Sequence, residues 1–276
     1  MQWQTLAAGV RLNWEMYTGG RKGWPMRVPD FLYSLYERRL AREIDPERRP
    51  CHVGIILDGN RRWAKQLGSS ASAGHRKGAD HVSEVLDWCA EAGIQIVTLW
   101  MLSTDNLKRS PDELAPLMAI IAETVETLGG RWKIRIIGDL KLVPEEFAAR
   151  LRATEERTAG SSGMTVNIAV GYGGRHEITD AVRTYLRERA KEGATLEQVA
   201  DEINISTFTE HMYTKGQPDP DLIIRTSGEQ RMSGFMLWQT VHTELYFCEA
   251  YWPEFRRTDL LRALRDYAAR ERRMGK

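Results

Sequence analysis

The chain has 276 residues, 42% hydrophobic and 28% charged, with a net charge of +1. That is enough apolar material for a full core, and the even charge excludes both a strongly basic nucleic-acid binder and a charged disordered tail. Cys51, Cys89 and Cys248 form no CxxC pair or metal-ligand spacing, which fits a reducing cytoplasm, and the opening MQWQTLAAGVRLNWEM is too interrupted for a signal segment or a membrane span.

Residues 1 to 50 differ from the rest. In DFLYSLYERRLAREI, the residues Phe31, Leu32, Leu35, Tyr36, Leu40 and Ile44 recur at helical spacing. The simplest expectation is a helix docked on the body of the protein. Arg38, Arg39, Arg42, Arg48 and Arg49 beside aromatic residues also suit peripheral contact with a membrane. From Cys51 onward strands and helices alternate. HVGIIL is a strand, GADHVSEVLDWCAEAG a helix and IQIVTLWML a strand apolar enough to be covered on both faces. PDELAPLMAIIAETVETLGG follows as a helix with Pro111 in its first turn. WKIRIIGDL is a strand, PEEFAARLRATEERTAG a helix, MTVNIAVGY a strand and GRHEITDAVRTYLRERAKEG a helix. ATLEQVADEI, DLIIRTSG, ELYFCEAYWP and TDLLRALRDYAARERR read as helix, strand, strand and helix. This alternation predicts an α/β fold: one domain, residues 51–276, with a mostly parallel central sheet flanked by helices, after an N-terminal helical extension, 1–50.

Ligands bind such sheets beyond the C-terminal ends of the strands. The segments that follow the first, second, fourth and fifth strands are DGNRRWAK, STDNLKRSPDE, GYGGRHE and RTSGEQRMSG, all polar and rich in arginine or glycine. Four such loops sharing one sheet edge point to an anionic ligand. Asp58 ends a buried strand, Gly59 permits close backbone approach, and Arg61 and Arg62 offer donors suited to phosphate. A carboxylate among phosphate binders calls for a cation between them, and Mg²⁺ meets that need. Taken alone, Asp58 could equally be a plain helix cap. Arg225, Arg231 and Ser233 form a second cluster, so two phosphorylated substrates are expected to meet. GxxxxGK[ST] is absent, and GYGGR does not meet the GxGxxG spacing.

HVGIILDGNRRWAK, AGHRKGA, LSTDNLKR, GYGGR, DLIIRTSGEQRMSGFMLWQ and TELYF, in this order and spacing, resemble the cis-prenyltransferase (undecaprenyl diphosphate synthase) family from about residue 51 onward, and most closely its short-chain members that make (2Z,6E)-farnesyl diphosphate. The resemblance implies Mg²⁺-dependent condensation of isopentenyl diphosphate with an allylic diphosphate by a homodimer. It assigns Asp58 and Asn106 to catalysis, and Gly59, Asn60, Arg61, Arg62, Trp63, His75, Ser103 and Arg109 to the allylic diphosphate. Arg225, Arg231, Ser233, Arg273 and Gly275 would hold isopentenyl diphosphate. Asp58 and Glu244, the latter commonly from the partner subunit, would hold the metal. Met101, Leu102, Leu117, Met118, Ile121 and Val166 would line the product tunnel, and Met101, where long-chain members have a small residue, predicts a short C15 product. The main enzymatic alternative is a medium- or long-chain polyprenyl product, and a remote one is a noncatalytic partner subunit. Three positions depart from the family pattern. Ala71 replaces a usual arginine, for which Arg61 is the expected substitute; Leu107 replaces tryptophan, and Gln230 replaces histidine.

Overall fold

The computed structural model describes residues 30 to 270, with side chains from Leu35 onward. Arg273, Gly275 and the first 29 residues, on which part of the expected site and of the membrane contact rests, lie outside the described residues. Helix α1, Asp30–Glu43, contains the boundary of the main compact unit, which begins at Glu37 and therefore takes in residues 37 to 50. Leu40 and Ile44 are buried in that unit.

The six strands are β1 (His52–Ile56), β2 (Ile96–Ser103), β3 (Lys133–Ile137), β4 (Thr165–Tyr172), β5 (Leu222–Arg225) and β6 (Glu244–Phe247). They form one sheet in the order β3-β4-β2-β1-β5-β6, and every pairing is parallel. The helices of the body are α2 (Asn60–Gln66), α3 (Ala71–Glu91), α4 (Pro111–Leu128), α5 (Glu145–Thr158), α6 (Gly174–Lys191), α7 (Leu196–Glu202), α8 (Ile205–Thr209) and α9 (Arg257–Ala269). Parallel strands need crossover connections, and helices supply them, so the strands are covered and read as apolar runs. All five residues of β1 are buried, as are seven of the eight in β4.

The strand order locates the site. From β1 the chain proceeds to β2 on one side, whereas from the adjacent β5 it proceeds to β6 on the other. Connections that diverge in this way leave a crevice at the C-terminal ends of two neighbouring strands. Asp58 follows β1 and Arg225 ends β5, so both stand at that crevice. Ile137, Ala169, Trp100, Ile56, Arg225 and Phe247 are paired in one row across the sheet and share a face. Arg225 is the one charged member of this row. Ile56, Ala169 and Ile137 pack there with Phe235, Tyr172 and Met236, and Trp100 stacks on Phe235 at 5.1 Å between ring centroids.

Helix α3 begins at Ala71, capped by the Ser70 hydroxyl, about two turns ahead of the start at Gly78 that the sequence suggested. Gly74 and Gly78 lie about one turn apart on the face that meets Asn60. A Cβ at Gly74 would strike the Asn60 carbonyl oxygen, and one at Gly78 would strike its side-chain oxygen. These glycines let α3 lie against the start of α2.

Candidate active site

The loop after β1 is held before any ligand is considered. The Asp58 N–H donates to the Ile56 carbonyl at 2.9 Å and to the Thr226 hydroxyl at 2.9 Å, and Trp252 N–H donates to the Asp58 carbonyl at 3.0 Å. Gly59 has φ +108°, and a Cβ there would lie 2.6 Å from Tyr251. Only glycine suits that turn. Helix α2 starts directly afterwards, at Asn60.

The Asp58 carboxylate accepts from Arg225 at 2.8 Å on one oxygen and lies 3.2 Å from Arg62 on the other. Burial alone would raise this carboxyl, but the Arg225 hydrogen bond and the charges of Arg225 and Arg62 outweigh it and hold Asp58 below its usual range. Asp58 is therefore ionised at neutral pH. Arg225 is 5% exposed; it also donates to the Ser233 hydroxyl at 2.8 Å and the Arg231 carbonyl at 2.5 Å. Ser233 has φ 49° and Ser227 φ 79°, left-handed backbone that costs about 1–3 kcal/mol per residue away from glycine. Strain of this kind concentrates at binding sites, and here it aims the Ser233 hydroxyl at Arg225. The Arg231 side chain is largely exposed and paired with Glu229.

On the other side of Asp58, Arg62 bonds Ser227 at 2.7 Å and Glu229 at 2.9 Å. Ser103 and Asn106 brace each other: the Ser103 N–H donates to the Asn106 amide oxygen at 3.1 Å, and the Asn106 N–H donates to the Ser103 hydroxyl at 3.0 Å. Burial and the Arg109 charge lower the His75 pKa, so this imidazole is neutral at pH 7. Arg109 is itself pulled down by burial.

Two adjoining cavities share Leu57, Asp58, Asn60, His75 and Arg109. One, of about 630 Å³, is polar and lined also by Gly59, Arg61, Arg62, Lys65 and Ala71. The other, of about 320 Å³, runs from Arg225, Ser233, Ser103 and Asn106 to an apolar wall of Met101, Leu117, Ile120 and Ile121. Buried polar atoms of Asn60, His75, Trp100 and Arg225, all residues of this second wall, have no hydrogen-bond partner among the described residues. Such atoms are costly unless a ligand meets them. The nitrogens among them suit a diphosphate, Asn60 Oδ1 being an acceptor, and Asp58 is the carboxylate available to a cation.

Several expected residues lie elsewhere. Trp63 points along α2 to Glu254, its indole N–H 3.1 Å from the carboxylate, and lines neither cavity. Leu102 and Val166 are fully buried and do not line the apolar wall, nor does Met118. Ile120, Thr124 and Trp100 line it instead. Glu244 lies at the start of β6, in register with Leu222 and hence with Val53, five residues before Asp58. Along the strands that is about 16 Å, so Glu244 and Asp58 of one chain do not share a metal. Within the chain Glu244 pairs with Arg270. The sequence reading missed Lys65, the Ser227–Glu229 partners of Arg62, and Glu113, which Arg61, His75 and Arg109 all approach. An acid in the first turn of a helix reads as a dipole partner, so nothing local singled Glu113 out.

Residues 56–275 match a family described as putative undecaprenyl diphosphate synthase. The (2Z,6E)-farnesyl diphosphate synthase of Thermobifida fusca is 54% identical over 253 residues, covering 91% of this chain and 98% of that protein. The short-chain Z-isoprenyl diphosphate synthase of Mycobacterium bovis is 50% identical, with the same coverage. The crystal structure of lavandulyl diphosphate synthase from Lavandula x intermedia in complex with dimethylallyl diphosphate superposes with a TM-score of 0.77 at 35% identity, over 83% of this chain and all of that one. With its site at the β1–β5 crevice and relatives of this identity along most of its length, the chain belongs to the cis-prenyltransferase family.

Proposed function

We propose that residues 51–276 form a catalytic domain that joins isopentenyl diphosphate to an allylic diphosphate, favouring geranyl diphosphate, and stops at a short Z-prenyl product of C15. The observation that carries this reading is the ionised Asp58 between Arg225 and Arg62, where a cation-lined cavity meets an apolar one. Gly59, Asn60, Arg61, Arg62, His75, Ser103 and Arg109 take the primer's diphosphate; Arg225, Arg231 and Ser233, with Arg273 and Gly275 of the neighbouring subunit, take that of isopentenyl diphosphate. Asp58 would hold Mg²⁺, which when bound neutralises charge on the departing diphosphate. The allylic C–O bond ionises as the leaving group's charge falls on preorganised arginines. The C4 carbon of isopentenyl diphosphate attacks the cation, and loss of a C2 proton leaves the new double bond. The braced Ser103–Asn106 pair positions polar groups beside that step.

Met101 lines the apolar wall with Leu117 and Ile121, and a bulky side chain there supports a short product. The protein would act as a cytoplasmic homodimer. Glu244 at the far end of the sheet supports this, since a metal site using both carboxylates needs two chains. So do the open edge of β6 and the exposed Leu237 and Val241. No helix among the described residues is long and apolar enough to cross a membrane; any membrane contact would be peripheral, through the N-terminal helix. The test is product analysis with labelled isopentenyl diphosphate, Mg²⁺ and separate dimethylallyl, geranyl and farnesyl primers. A C15 alcohol from geranyl diphosphate with no further growth supports the reading. A ladder to C50 would overturn the short tunnel, and no product from any primer would favour a noncatalytic partner subunit.

A further inference from the structure

Glu113 stands in the first turn of α4, and one of its carboxylate oxygens gathers three groups from three different elements. Arg109 Nη1 lies 3.0 Å away, Arg61 Nε 3.5 Å and His75 Nε2 3.7 Å. These three donors all line the polar cavity that adjoins Asp58. The contact to His75 is too long for a hydrogen bond, and that nitrogen has no other partner among the described residues. A carboxylate oxygen and a phosphate oxygen ask for the same donors, and their charges exclude both from being held there together.

We infer that Glu113 is an internal counter-anion that competes with the allylic diphosphate for Arg61, His75 and Arg109, and that the diphosphate must displace it to bind. The inference rests on the assignment of this cavity to the primer's diphosphate. Glu113 keeps two guanidinium groups, 57% and 21% exposed, from repelling each other and splaying into solvent. It also makes the diphosphate subsite weaker than its cations alone would make it, so that a diphosphate-bearing product is released when the carboxylate reclaims its partners. Because Glu113 begins the helix whose Leu117, Ile120 and Ile121 wall the apolar cavity, the exchange links diphosphate binding to the start of that wall.

The experiment measures binding of inorganic pyrophosphate by titration calorimetry at low ionic strength, first without and then with Mg²⁺. The wild type, Glu113→Gln, Glu113→Ala and the control Asp112→Asn are compared, with thermal melts verifying folding. Asp112 shares the first turn of α4 but lies outside this cluster. Removing one like charge from a partly exposed anion site should tighten pyrophosphate about tenfold in Glu113→Gln, less at higher salt, with Asp112→Asn unchanged. Glu113→Ala should move the same way. In turnover, Glu113→Gln should lower KM for the allylic primer by a similar factor and leave that for isopentenyl diphosphate near the wild-type value. Unchanged or weaker pyrophosphate binding in both Glu113 variants would overturn the inference, because Glu113 would then be a fixed brace. Equal tightening in Asp112→Asn would overturn it too, the effect then belonging to the helix terminus. A wild type that elongates no primer, with the pyrophosphate result as expected, would instead sink the proposed reaction.

Discussion

The two ends of the central sheet each have a histidine among polar neighbours, His52 buried and His75 half-buried, and the two treat it differently. At the N-terminal end, His52 bonds the Pro218 carbonyl through Nδ1 at 2.8 Å and the Thr98 hydroxyl through Nε2 at 2.7 Å. Asn167 donates to Thr98 at 2.9 Å and exchanges two hydrogen bonds with Gln217. One assignment satisfies the row: neutral His52 donates from Nδ1 to Pro218, and Thr98 donates to Nε2 while accepting from Asn167. At the C-terminal end, His75 Nε2, Trp100 Nε1, Arg225 Nε and Asn60 Oδ1 have no partner among the described residues. A completed polar network holds strands together, whereas an incomplete one beside a cavity is arranged for something that arrives later. Burial depresses both histidines, so pKa alone does not separate them; the unmet donors do.

This contrast can be broken in five places, each unequal between the two ends. Asp58→Asn should lower kcat by about 10²–10³-fold or more, because it removes the charge that would hold the metal and offset the diphosphates. Near-normal turnover with Mg²⁺ would remove Asp58 from the chemistry. Mixing inactive Asp58→Asn and Glu244→Ala chains, after partial unfolding and reassembly, should restore about a quarter of wild-type activity, since half the dimers are mixed and each has one intact site. No recovery would sink the two-chain metal site. Met101→Ala should shift the product by about one or two five-carbon units, through the volume vacated at the wall; chromatography of the dephosphorylated alcohols reads this directly.

The opposite end should respond in stability and not in rate. Thr98→Val leaves His52 and Asn167 short of a partner and should cost about 1–3 kcal/mol by urea unfolding, with kcat little changed. The smallest effect expected is in the pH dependence. Burial lowers His52 below its ordinary 6.5, so the unfolded chain takes up the proton first. The contribution of neutral His52 is present above 6.5 and is lost as pH falls below that value toward its depressed one. His52→Gln should flatten that limb of the stability curve, and an unchanged limb would assign the acid sensitivity to other groups.

Most of the fold was legible because parallel strands and crossover helices write strong patterns. HVGII and TVNIAVGY are continuous apolar runs, and α4 carries Pro111 at its start and Gly129 at its end. The start of α3 lies earlier than expected: Ser70 caps it, and Gly74 and Gly78 fit against Asn60, contacts that only the packing shows. Loop composition singled out Asp58 and Arg62 after β1, and Arg225 and Ser233 at and after the end of β5. Helical phase turns Trp63 toward Glu254 while Arg61, Arg62 and Lys65 line the cavity, a distinction the run of residue types alone does not draw.

What the sequence determined by itself was the βα alternation, the concentration of arginine and glycine after four strands, and hence the edge of the sheet where an anion binds. Those are local properties, set by side-chain periodicity and by where each apolar run stops. Tertiary structure alone decided which loops meet, because that depends on strand order: β5 inserted beside β1 brings Arg225 to Asp58 across 167 residues. It also put Glu244 at the wrong end of the sheet to serve Asp58 of the same chain, and it brought Arg61, His75 and Arg109 to Glu113 from three separate elements. A charge's partners are fixed by packing in space, and no spacing along the chain encodes them.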